Sequence, residues 1–177
     1  MKKRLISLAA VLALLCAGCT GGKTPAGTGA LSVWFLGPAP TIDNSFFASL
    51  GHRRNAVLTA QPCTLPADAP AIPALMGRLL SGPDEDSGAR SPFPNHTALR
   101  GWSLEDGLAT VDLSEAYGSL SGAQLSLADS CVVLTLCQLP DVERVYLTVD
   151  GRPRPFQDRV LTPDDFLFSL DEPETSS

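Results

Sequence analysis

Residues 135–151, TLCQLPDVERVYLTVDG, place a thiol, two threonine hydroxyls, three carboxylates and an arginine within seventeen positions. Such types could supply a nucleophile, an acid or base and a cation. The rest of the chain offers them little help. Its two histidines, His52 and His96, fall in expected loops with no second ligand at metal spacing, and each reads as a surface residue. GSLSG at 118–122 has leucine where a nucleophile elbow needs serine, so it reads as a glycine-rich loop. DEDSG at 84–88 lacks the distal glutamate of a calcium loop and reads as solvated. Asp112 and Ser114 point the same way from one strand. With no histidine or lysine placed beside them, they read as a polar pair at a strand end. The expected catalytic, cofactor and metal residues are therefore none.

Cys131 and Cys137 lie six positions apart on an expected helix, about 9 Å along its axis and on different faces. They cannot bridge while the helix stands, since bonded Cα atoms lie within roughly 7 Å. Each reads as a small core hydrophobe. Cys63 could pair with either, and the sequence leaves that open.

The elements that would position these residues follow from periodicity. LSVWFL at 31–36 and the loosely alternating 56–65 predict two strands. Ile72, Leu75, Met76 and Leu79 form one helical stripe, with Pro70 and Pro73 near its start and Gly82-Pro83 as its stop. Asp106-Gly107 predicts a hairpin joining strands at 98–105 and 108–113. Ser126 with Asp129 matches a capping box opening a second helix, apolar around most of its circumference and stopping before Pro140. Val145, Leu147 and Val149 then alternate with Arg144, Tyr146 and Thr148 in a half-buried strand. TPDD at 162–165 reads as an N-cap with proline at the first helical position, opening a turn through Phe168. The order β-β-α-β-β-α-β predicts an α+β domain, a mainly antiparallel sheet of four to five strands with two helices on one face.

The N-terminus sets the address. Lys2, Lys3 and Arg4 precede an apolar run from Leu5 to Leu15, too short to span a bilayer, so residues 1–18 read as a secretory signal. LCAGC at 15–19 resembles a bacterial lipobox, with Cys19 as the lipidated residue, although Cys16 stands where leucine is usual. An ordinary cleaved signal with a stray cysteine is the alternative. Acyl chains on Cys19 would hold the chain to the membrane, each buried methylene contributing about 0.8 kcal/mol. Residues 19–30 then read as lipidated cysteine and flexible tether, 31–170 as the folded domain, and 171–177, DEPETSS, as an acidic tail. Loss of Lys2, Lys3 and Arg4 with the signal leaves ten basic residues against nineteen acidic, taking the net charge from -6 to -9. An acidic surface opposes nucleic acid, so no nucleic-acid partner is expected. The sequon Asn95-His96-Thr97 would rarely be used in a bacterial lipoprotein.

Four blocks recur in a family-like succession: LLSGP at 79–83, PNHTALRG at 94–101, GLATVDLS at 107–114, and TLCQLPDVERV at 135–145 leading to VDG at 149–151. This succession, over roughly residues 31–170, resembles the sporulation and spore germination domain family (GerMN). Cys137 departs from the polar residue usual there, and residues 43–51 depart from the pattern. The resemblance implies an α/β sandwich-like domain in an exported, often lipidated bacterial protein, similar to ring-building domains that assemble at membranes. It carries over no catalytic residue.

These observations predict a non-catalytic lipoprotein on the extracytoplasmic face of the cell membrane. Its role would be assembly or binding in the envelope, linked to sporulation or germination, with other envelope proteins or copies of itself as partners. The alternative is a peptidoglycan or small-ligand binding module, which exposed aromatics such as Trp34, Trp102 or Tyr146 would serve.

Overall fold

The computed structural model describes residues 31–38, 57–154, 158–166 and 170–171. The signal, Cys19, the tether, Phe46, Phe47, His52 and the tail beyond Asp171 lie outside the described residues.

Two short sheets share one core. β1 (Leu31–Leu36) pairs antiparallel with β2 (Leu58–Cys63), Leu31 opposite Cys63. β3 (Leu99–Glu105) and β4 (Leu108–Leu113) form the expected hairpin, and Asp106 and Gly107 both take positive φ, as a tight two-residue turn requires. α1 (Ala71–Leu80) buries the predicted stripe Ile72, Leu75, Met76 and Leu79. Gly82, at φ 90°, ends it, and its N–H bonds the Leu79 carbonyl at 3.3 Å.

The path from β4 to the next strand departs from expectation. A short helix α2 (Glu115–Gly118) follows Ser114, and α3 (Gly122–Leu136) starts four residues before Ser126. Ser126 is therefore no cap: it sits inside the helix with its hydroxyl on the Gly122 carbonyl, and Asp129 turns inward. β5 (Arg144–Val149) lies parallel to β4, with Leu108 opposite Arg144 and Leu113 opposite Val149. Parallel neighbours need a long crossover, and the two helices between these strands supply it. β6 (Arg152–Pro153) folds back on β5, and β7 (Leu170–Asp171) lies parallel to β2. Asp171, expected to open the tail, pairs with Thr59. Between β6 and β7, Thr162 and Asp165 cap a 3-10 turn at Pro163–Asp165. The turn ends at Phe166, in extended conformation.

The α+β class is as predicted, but the strands fall into sheets of order β1-β2-β7 and β3-β4-β5-β6. α3 packs against both β1 and β5, and α1 packs against β1, β3 and α3. A helix touching two sheets has little surface left for water, which accounts for its apolar circumference. Cys131, Val132, Val133 and Leu136 are fully buried there, with Phe35, Val111 and Leu147 in the same core. Among the described residues, no helix is long and apolar enough to cross a membrane.

Candidate functional site

The reactive-looking residues of 135–151 separate in space. Thr135 Oγ1 accepts the Trp34 N–H at 3.1 Å. Cys137 is half-buried against the Glu143 carbonyl. Arg144 donates to the Asp106 carbonyl at 3.0 Å, Asp150 faces Arg100 at 3.5 Å, and Asp141 is exposed. They make no common centre. Cys63, Cys131 and Cys137 are all free thiols. Burial pushes the Cys131 thiol up to about 12, against a smaller opposing effect of its hydrogen bond with Ser130, and pushes Cys137 up to about 11. Neither is a ready thiolate.

Asp112 and Ser114 also have separate duties. Asp112 Oδ1 accepts the Thr148 hydroxyl at 2.6 Å and the Gly151 N–H at 2.7 Å, tying β4 to the turn after β5. Ser114 Oγ accepts the Ala98 N–H at 3.0 Å and donates to the His96 carbonyl at 3.2 Å. His96 lies on an exposed turn at φ 68°. In the 84–88 loop, Asp84 pairs with Arg78 at 2.7 Å. Among the described residues, no group of three or more histidine, cysteine or acidic side chains could hold a metal. Trp102 is 44% exposed on β3, Trp34 is half-buried on β1, and the Tyr146 hydroxyl donates to Asp158 at 2.6 Å.

A cleft of about 490 Å³ opens elsewhere, between the α2–α3 connection and the β5–β6 turn. Glu115, Gly118, Leu120 and Leu125 line one side, and Val149, Asp150, Arg152 and Pro153 the other. α2 seats closely on β5 because residue 118 is glycine: a Cβ there would meet Val149 Cγ1 at 3.2 Å. The buried residues of the cleft are Tyr117, Leu125 and Arg154. Arg154 forks onto Asp129 of α3, with Nη1–Oδ1 at 2.8 Å and Nη2–Oδ2 at 3.0 Å. The Tyr117 hydroxyl donates to the same Asp129 oxygen, and the Arg154 guanidinium lies 5.5 Å from the Tyr117 ring centroid. Burial, then the Asp129 carboxylate, hold the Tyr117 phenol well above its ordinary range, so it stays a donor. Arg154 Nε is buried with no hydrogen-bond partner among the described residues. The fork bonds are spent within the protein, so the cleft's polar character rests on its rim and on this buried N–H, which makes it the candidate site among the described residues. A second cleft, about 370 Å³, lies by Arg90, Phe93 and Gln124.

The Asp129–Arg154 pair is not legible from local sequence. Asp129 resembled a cap, and Arg154 lies in an Arg/Pro run that looks like loop. The available signal was an acid inside an otherwise apolar helix, which must find a partner when buried.

A family model described as Germane, sporulation and spore germination, matches residues 47–155, more than half of the chain. The chain belongs to the Germane family. The Germane match takes in both sides of the cleft and Arg154. The tandem GerMN domains of the sporulation protein GerM from Bacillus subtilis are 21% identical, with a TM-score of 0.52 over 71% of this chain and 40% of that one, and share the fold. This chain thus spans well under half of that tandem structure. The first GerMN domain of the same protein is 20% identical over 59% of this chain and 84% of that one, with a TM-score of 0.47. A candidate lipoprotein from Clostridium perfringens is 19% identical over 76% of this chain and 87% of that one, with a TM-score of 0.49. No curated protein matches the chain significantly.

Proposed function

We propose that this chain is a non-catalytic GerMN-type lipoprotein, anchored through Cys19 on the outer face of the cell membrane. Its role is assembly or binding in the envelope during sporulation or spore germination. The observation that carries this reading is how the family-marking side chains are used. Asp112, Ser114 and Thr135 each accept a backbone N–H of the protein itself, so the motifs hold the scaffold and leave recognition to its surfaces. The test has two arms. The wild-type chain should fractionate with membranes, and Cys19→Ser should release it. Purified protein should not turn over cell-wall fragments; steady turnover that Ser114→Ala abolishes would overturn the reading.

A second reading, a module that binds peptidoglycan or a small ligand, is favoured by the cleft over Arg154. Retention of the purified chain on insoluble peptidoglycan would support it, and failure to be retained would count against it.

A further inference from the structure

The cleft carries more than space. Arg152 and Glu115 are exposed at its rim and take part in none of the ion pairs among the described residues. Asp150, across the cleft from Glu115, has among the described residues only a loose 3.5 Å side-chain ion pair, with exposed Arg100. Arg154 also lines the cleft, and its Nε–H is buried without an acceptor among the described residues, on a side chain whose other nitrogens are fixed by Asp129. A buried donor left in this way calls for an acceptor that enters from outside. Leu120, Leu125, Val149 and Pro153 add short apolar surface between the charges.

Resting on the small-ligand reading above, we infer that the cleft binds the free carboxyl end of a short peptide. Arg152 and the Arg154 Nε–H take the carboxylate, and Glu115 with Asp150 takes an ammonium group of the same ligand. Anionic ligands without a cation are disfavoured, because two carboxylates share the cleft with the arginines. An extended anion such as a polyphosphate would meet that same repulsion. The size fits: about 490 Å³ lies within the range of small-ligand pockets and suits two or three small residues. Peptides of this chemistry have two sources, wall stem peptides with D residues and ordinary peptides with L residues.

The probe is alanylalanine, as the D,D and the L,L form, titrated into the full chain in detergent micelles and followed by NMR of the amides and the arginine Nε–H groups. The expected result is saturable movement of the Arg154 Nε–H signal with the Gly118, Leu120 and Asp150 amides, at roughly millimolar affinity. The C-terminal amide of the dipeptide should bind about tenfold more weakly or not at all, as should the free dipeptide to Arg152→Ala. N-acetylation and Glu115→Gln should each weaken binding, and should not add to each other. Both substitutions are at exposed positions, so folding is preserved. Preference for the D,D form assigns the wall as source, and preference for the L,L form assigns ordinary peptides. Equal binding of the amide, or no movement of the Arg154 Nε–H with either form, overturns the inference. If the same protein is still retained on peptidoglycan, the small-ligand reading stands and only this site assignment falls.

Discussion

Gln138 stands in for a missing strand beside Ser32. Its Oε1 accepts the Ser32 N–H at 2.8 Å, and its Nε2 donates to the Ser32 carbonyl. β1 pairs with β2 on one edge, and on the other a single bridge to Arg90 serves Leu36, so Ser32 and Trp34 would present unpaired backbone beside α3. Thr135 continues the same edge at Trp34. Truncating Gln138 to alanine leaves both Ser32 groups unpaired in a half-buried setting. The expected loss is about 1–3 kcal/mol of unfolding free energy in urea. Gln138→Glu keeps only the acceptor and should fall between. A wild-type midpoint for Gln138→Ala would show that water replaces the amide without cost.

Asp129 and Arg154 are both almost wholly buried, 25 positions apart in sequence. Removing one partner strands a charge, so Asp129→Ala should cost about 3–5 kcal/mol. Replacing both, as Asp129→Leu with Arg154→Met, should cost far less than the two single changes added together. Urea unfolding of the four proteins of this cycle measures the coupling. Near-additive losses would mean that the pair is not an energetic unit.

Local physics explains which elements could be foreseen. The hairpin at Asp106-Gly107, the stripe of α1 and the Thr162 cap each depend on residues within a few positions of one another. The start of α3 is masked in the sequence because Ser126 and Asp129 imitate a capping box, whereas Asp129 answers to Arg154. The parallel pairing of β4 with β5 depends on where α2 and α3 return the chain, and alternation along Val145, Leu147 and Val149 is the same for either strand direction. Of the cleft, the sequence shows Gly118 and Leu120 only as a glycine-rich loop and Val149 and Asp150 only as a strand end. Arg154 reaches it through tertiary contact with Tyr117 and Asp129.

Asp112 gathers the Thr148 hydroxyl and the Gly151 N–H on one oxygen. Asp112→Ala should cost about 1–2 kcal/mol and speed hydrogen exchange at Gly151, since the turn loses its tie to β4. Asp112→Asn retains an acceptor oxygen and should recover most of the loss. Exchange rates at Gly151 that stay unchanged in Asp112→Ala would sink this account of the turn.

The buried thiols set an alkaline limit. In the folded chain burial pushes the Cys131 thiol up to about 12 and the half-buried Cys137 up to about 11, from the usual 9.0. Between about pH 9 and those values, the unfolded chain releases thiol protons that the folded chain keeps. The folded state then binds more protons, so stability falls as pH rises through that window, and below about pH 9 the effect vanishes. Other groups titrate there too, Tyr117 with the same sign because its phenol is also raised. The informative quantity is therefore the difference between wild type and Cys131→Ala in urea midpoint at about pH 8 and about pH 10.5. Cys131→Ala should be the less stable at the lower pH, because a filled core site is emptied, and its disadvantage should shrink at the higher pH. A gap that stays constant across the two would mean that the Cys131 thiol ionises as readily folded as unfolded, against its complete burial between α3 and the sheets.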